Sequence, residues 1–176
     1  MQYLQHVHFQ KLFCQSIGLD NTLWSLLTSF RLADTISHMQ ASTELSDAYD
    51  YFERLSLMRS KVARVLSDIS LRPEFAVRCQ AASPLSSYLC KWLSSPQSHH
   101  QVCACIMLVN IARSDSVCEE LISINRIHKP LLTIIAKAND TQLLCAALGL
   151  LKDLALPTRN KVELGDAGII QILPRL

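Results

Sequence analysis

Cys103-Ala104-Cys105-Ile106-Met107-Leu108-Val109-Asn110-Ile111-Ala112 is answered, about 42 residues further on, by Ala146-Ala147-Leu148-Gly149-Leu150-Leu151-Lys152-Asp153-Leu154-Ala155. Each stretch is an apolar helix pattern that ends in a polar residue, a branched aliphatic and an alanine. A fainter copy precedes them at Ala63-Arg64-Val65-Leu66-Ser67-Asp68-Ile69-Ser70. Asp68, Asn110 and Asp153 thereby stand 42 and 43 residues apart. Self-similarity at this period marks a stack of helical units, each burying its apolar face on its neighbours.

Composition agrees with that reading. Apolar residues make up 49% of the 176, enough for a sizeable core, and 4 glycines and 6 prolines leave long stretches free to be helical. The expected class is all-α, an armadillo-like helical-repeat solenoid. Short, medium and long helices in rotation fit armadillo units better than the two-helix HEAT unit. The expected division is divergent helical repeats over 1–98 and two armadillo-like repeats over 99–176, the last one truncated. That cut would leave Ile169, Ile172 and Leu173 as an exposed apolar edge of a fragment.

The pattern predicts a first helix over 3–17, with Leu4, Val7 or His8, Leu12 and Ile17 inward and Gly18 as its C-cap. A second runs from Asn21 to about His38, and Gln40-Ala41-Ser42-Thr43 is a break. A long helix follows over 44–69, with Tyr51, Leu55, Met58, Val62, Val65, Leu66 and Ile69 inward. Pro73 ends it. Helices at 74–80 and 84–93 lead to the loop 94–98. Beyond it the pattern predicts helices at 99–112, 117–124 and 127–137, a long one opened by Asn139-Asp140-Thr141 and closed before Pro157, then 159–164 and one from about 167. Ser116 and Glu119 match a capping box for the helix at 117.

Several function classes are disfavoured. Residues 1–98 carry nine Lys/Arg against eight Asp/Glu, and 99–176 carry eight against seven, so neither half has the charge excess of a nucleic-acid binder. No apolar run reaches the ~20 residues that span a bilayer, and no secretory leader is visible at the start. Seven cysteines, mostly within apolar helical patterns, suit free thiols in a reducing compartment, so the chain reads as cytosolic or nuclear. His99, His100, Cys103 and Cys105 lack the spacing of a metal site, as do His6 and His8. No cysteine has a histidine partner in a local signature, and no glycine-rich phosphate loop is present. Met39, Met58 and Met107 read as core fillers, and Trp24 and Trp92 as packing anchors. No cofactor, metal or catalytic residue is expected.

Residues 101–176 carry a sharper likeness. Val102 through Asp115, ending in Asn110-Ile111-Ala112-Arg113-Ser114-Asp115, resembles a helix end found in the SmgGDS family, armadillo-type GDP-dissociation stimulators of small GTPases. Ala146 through Lys161, with Leu154-Ala155-Leu156-Pro157-Thr158-Arg159-Asn160-Lys161, resembles a second segment of that family; Asp153 stands where the family has asparagine. Residues 1–98 match only in length and helicity, so the chain is expected to be a distant relative or a fragment.

The resemblance implies binding of Rho- or Ras-type GTPases with polybasic, prenylated tails, with promotion of GDP release or chaperoning, and no insertion into membranes. It also implies that the third helix of each unit lines a concave groove. Asn110 with Ile106, Asp153 with Gly149, and Asp68 with Arg64 would form one ladder there, with Arg113 a turn beyond. An asparagine in that place bonds the backbone of an extended peptide, and aspartates suit a basic tail. The same side chains can instead brace the neighbouring repeat. Asn160 and Lys161 are expected to start a helix and hold the proline turn. The alternative function is an armadillo adaptor without exchange activity. An importin-like reading is disfavoured because Ile106 and Gly149 stand where a tryptophan is needed.

Overall fold

The computed structural model describes residues 6–15, 45–80 and 82–173, with side-chain surroundings at 6–15, 53, 54, 57 and from 60 onward. Among them every element is helical: α1 Val7–Gln15, α2 Leu45–Ser70, α3 Pro73–Arg78, α4 Pro84–Leu93, α5 Ser98–Ile111, α6 Asp115–Ser123, α7 His128–Lys137, α8 Thr141–Leu154, α9 Thr158–Asp166 and α10 Ile169–Ile172. This architecture is compatible with a helical solenoid. The expected helix at 21–38, Gly18, Trp24 and Met39 lie outside the described residues, as do the side chains of Tyr51, Leu55 and Met58.

From Pro73 onward a short, a medium and a long helix alternate. Like packs on like: α5 lies between α2 and α8, α9 sits on α6, and α10 on α7. The long helices also pack on the medium ones that precede them, α5 on α4 and α8 on α7. This placement explains α5. Val102, Cys103, Ala104, Cys105, Met107, Leu108 and Ile111 are buried around its whole circumference, because a helix enclosed on every side needs no polar stripe.

Local chemistry sets the boundaries. Pro84 opens α4 and the Ser83 hydroxyl accepts from the Ser86 N–H at 3.1 Å. Asp140 caps α8, its carboxylate accepting from the Gln142 N–H at 2.9 Å. Beyond the Ser123 end of α6 the chain is turned by Arg126, which adopts φ 53°, a left-handed conformation that costs an ordinary residue about 1 kcal/mol.

Two expectations are corrected. The cap of α6 is Ser114, not Ser116: the Ser114 hydroxyl accepts from the Val117 N–H at 3.4 Å, and Ser116 lies inside the helix against Glu120. Ser114 wins because its backbone is extended, as a cap must be. In α1 the buried residues are Gln10 and Cys14, and Val7 and Leu12 are exposed. Lys11 pairs with Glu74 at 3.4 Å, and Arg78 donates to the Cys14 carbonyl at 3.0 Å, which ties α1 to α3. The expected helix over 44–69 is α2, Leu45–Ser70, and Pro73 stands just beyond its end as the first residue of α3.

The cysteines are all free, and five are buried; Cys90 is half-buried and Cys145 exposed. Trp92 is buried and stacked on His100. Met107 lies in the core. Among the described residues no group of three metal-ligating side chains converges, and no helix is long and apolar enough to cross a membrane.

Candidate partner-binding face

The expected ladder falls on the final turns of α2, α5 and α8, the three long helices that pack side by side. Asp68 and Asn110 are half-buried, and Asp153 keeps 22% of its side chain exposed beside Lys152, whose ammonium is 3.4 Å away. One turn earlier, Ile106 packs against the core and Gly149 is half-buried. A Cβ added to Gly149 would meet nothing within 4 Å. Space is therefore open over α8 at the level where the family likeness puts a binding face.

Asn110 has a structural task. Its amide nitrogen donates to the Ser70 hydroxyl at 2.8 Å and to the Ser67 carbonyl at 3.3 Å. Ser70 is buried and donates in turn to the Ser67 carbonyl at 2.7 Å. This network stitches α5 to the last turn of α2, the turn that also carries Asp68. An amide offers two N–H donors and one oxygen acceptor. Both donors are spent here, so Asn110 in this state can meet an extended peptide only through its oxygen.

Arg113 lies past the end of its helix. Ala112 has φ −73° and ψ 56°, and the Arg113 N–H bonds the Ile111 carbonyl at 2.7 Å. That is an inverse γ-turn, which swings Arg113 off the helix and into solvent. Asp153 cannot copy the Asn110 bonds, since an ionised carboxylate donates nothing.

The junction after α8 is held from another side. Asn160 is buried, and its amide donates to the Leu154 carbonyl and the Cys118 carbonyl, both at 2.9 Å. It thus fixes the turn through Pro157 and ties α9 to α6. The Cys118 thiol lies 3.6 Å from the Ala112 carbonyl and 3.7 Å from the Asp153 carbonyl. Burial first, then the carboxylates of Asp115 and Asp153, push that thiol's pKa up, so it stays protonated and able to donate. Sequence reasoning gave Asn160 the turn but missed its bond to Cys118; the proline three residues earlier was the available signal.

No family model and no solved structure matches the chain. Among curated proteins it is 28% identical over 184 residues to the GTPase-GDP dissociation stimulator vimar of Drosophila melanogaster. The alignment covers 98% of this chain and 26% of that protein, so the chain spans about a quarter of its relative's length. The likeness is that of a distant relative.

Proposed function

We propose that this chain is part of an armadillo-type stack that binds small GTPases and promotes GDP release. The observation that carries the reading is the likeness to a GTPase-GDP dissociation stimulator along 98% of the chain, across its divergent first half as well as the repeats. The packed row of α2, α5 and α8 supports it by offering a continuous face.

The mechanism is differential binding. A protein that prefers the empty or distorted GTPase over the GDP-bound one lowers GDP affinity by the same factor. No catalytic side chain is required. Asp68 and Asp153 supply negative charge for a partner of Rho or Ras type with a basic tail, and Gly149 leaves room for it. The encounter takes place in the cytosol, without membrane insertion of this chain.

The test is release of fluorescent GDP from a panel of Rho- and Ras-type GTPases, with this chain and with Asp68→Lys and Asp153→Lys variants. Faster release that both variants weaken is the expected result. Binding without faster release returns the adaptor reading. Absence of binding by the folded chain sinks both. Asn110→Ala is a poor probe, since it also removes the bonds to Ser67 and Ser70.

A further inference from the structure

The loop between α4 and α5, Ser94-Ser95-Pro96-Gln97, carries a serine whose surroundings suit a phosphate. Ser94 and Pro96 are exposed and Ser95 is half-buried. The Ser95 hydroxyl lies 2.9 Å from His100 Nδ1 and accepts from the Gln97 N–H at 3.2 Å. Both partners belong to the start of α5, where the first backbone N–H groups have no carbonyl within the helix to bond. Negative charge is favoured at such a place, yet the first turn of α5 holds no acidic residue. The helices that follow do carry one, Asp115 in the first turn of α6 and Asp140 at the cap of α8.

Neighbouring charge points the same way. Residues 75–114 contain no Asp or Glu, and their charged residues are Arg78, Lys91 and Arg113. Ser94 lines an open groove of about 350 Å³ together with Gln101 and Lys137, and Lys137 is exposed in the last turn of α7. His100 is buried and stacked on Trp92, so the imidazole beside Ser95 is held in place. A phosphate there gains amide donors and an imidazole able to carry the opposite charge.

We propose that Ser95 is a phosphorylation site for a protein kinase that requires proline after the acceptor, and that the phosphate docks on the start of α5 beside His100. The bond from Ser95 Oγ to the γ-phosphorus of ATP forms as the bond to the bridging oxygen breaks; ADP leaves, and the hydroxyl proton passes to the kinase's aspartate. Pro96 suits such a kinase because its nitrogen has no N–H to leave unbonded. Ser83 also precedes a proline, Pro84. It caps α4, with its hydroxyl on the Ser86 N–H, so a kinase reaches it only by unwinding that helix start. Ser95 lies in a loop, ahead of α5. The site stands whether or not the chain binds a GTPase.

The test incubates the folded chain with ATP and two proline-directed kinases in turn, one of the cyclin-dependent and one of the mitogen-activated type, beside a peptide spanning 88–102. Mass spectrometry should find phosphate on Ser95 in both substrates, and Ser95→Ala should lose it. By phosphorus NMR the second phosphate pKa, about 6 in the peptide, should be about 0.5 lower in the folded chain. His100→Phe, which keeps a ring on Trp92, should remove most of that difference. Tm should rise by about 3 °C on phosphorylation. Phosphate on Ser83 or Ser94 in place of Ser95, no phosphate on Ser95 from either kinase, or a Tm that falls overturns the proposal. So does a phosphate pKa equal in peptide and protein, or a lowered one that His100→Phe leaves unchanged.

Discussion

The side-chain amide of Asn160 lies 2.9 Å from the carbonyl oxygen of Cys118, 42 residues earlier in the chain. The same amide donates to the Leu154 carbonyl at 2.9 Å. Leu154 is the last residue of α8, so its carbonyl has no partner within the helix. One buried side chain therefore closes the end of α8 and joins α9 to α6.

Replacing Asn160 by alanine leaves a buried carbonyl unmet and opens a small void. The expected cost is on the order of 3 kcal/mol. In thermal unfolding that lowers Tm by about 10 °C for a chain of this size. Asn160→Asp should do no better, because a carboxylate repels both carbonyls. A loss below about 1 kcal/mol in either variant, read from urea midpoints, would mean that this junction holds without the amide.

Gly149→Ala should stabilise the chain. Glycine inside a helix costs about 1 kcal/mol relative to alanine, and here the added methyl meets nothing within 4 Å. Tm should rise by about 3 °C, with partner binding unchanged because a methyl leaves the face open. Gly149→Arg places a cation beside Asp153 and should weaken binding of a basic tail while the fold persists. Equal GTPase affinities for the two variants would move the binding face away from α8.

The helices were legible because α2, α5 and α8 each bury a run of aliphatics at helical spacing, and burial needs only side-chain type and spacing. Roles decided by partners distant in sequence were not legible. Asn110 has the composition of a peptide-binding residue and of a brace alike; only the positions of Ser67 and Ser70 separate the two uses. The cap of α6 misread by two residues for a related reason: Ser114 and Ser116 are chemically identical, and the extended backbone at Ser114 decided between them. In α1 the aliphatics pointed to one face, but Gln10 and Cys14 are the residues buried against the rest of the chain.

Thiol labelling should reveal one fast cysteine among seven. Cys145 is exposed on α8. Burial raises the Cys103 and Cys105 pKa to about 12 and the Cys14 pKa to about 11, and the thiolate is the reactive form. Titration with a thiol reagent at pH 8 should modify Cys145 quickly, the half-buried Cys90 more slowly and the five buried thiols at the rate of unfolding. Cys145→Ser should remove the fast phase. Rapid labelling of Cys103 or Cys105 would mean that α5 is not enclosed between α2 and α8.

His128 should make stability fall on the acid side of neutrality. It is the first residue of α7 and is buried, with no hydrogen-bond partner at Nδ1 among the described residues. Burial holds its pKa below the ordinary 6.5; the nearby Glu163 opposes the shift, and Lys129 and Arg126 reinforce it. A depressed histidine binds fewer protons folded than unfolded. Stability is therefore intact above pH about 6.5 and is lost as pH falls from there toward the folded pKa. Urea unfolding of the wild type and of His128→Leu between pH 8 and pH 5 checks this. The wild-type curve should drop below pH 6.5 and the variant's should stay flatter over the same interval. Parallel curves would mean that His128 opens to water and titrates as it does in the unfolded chain.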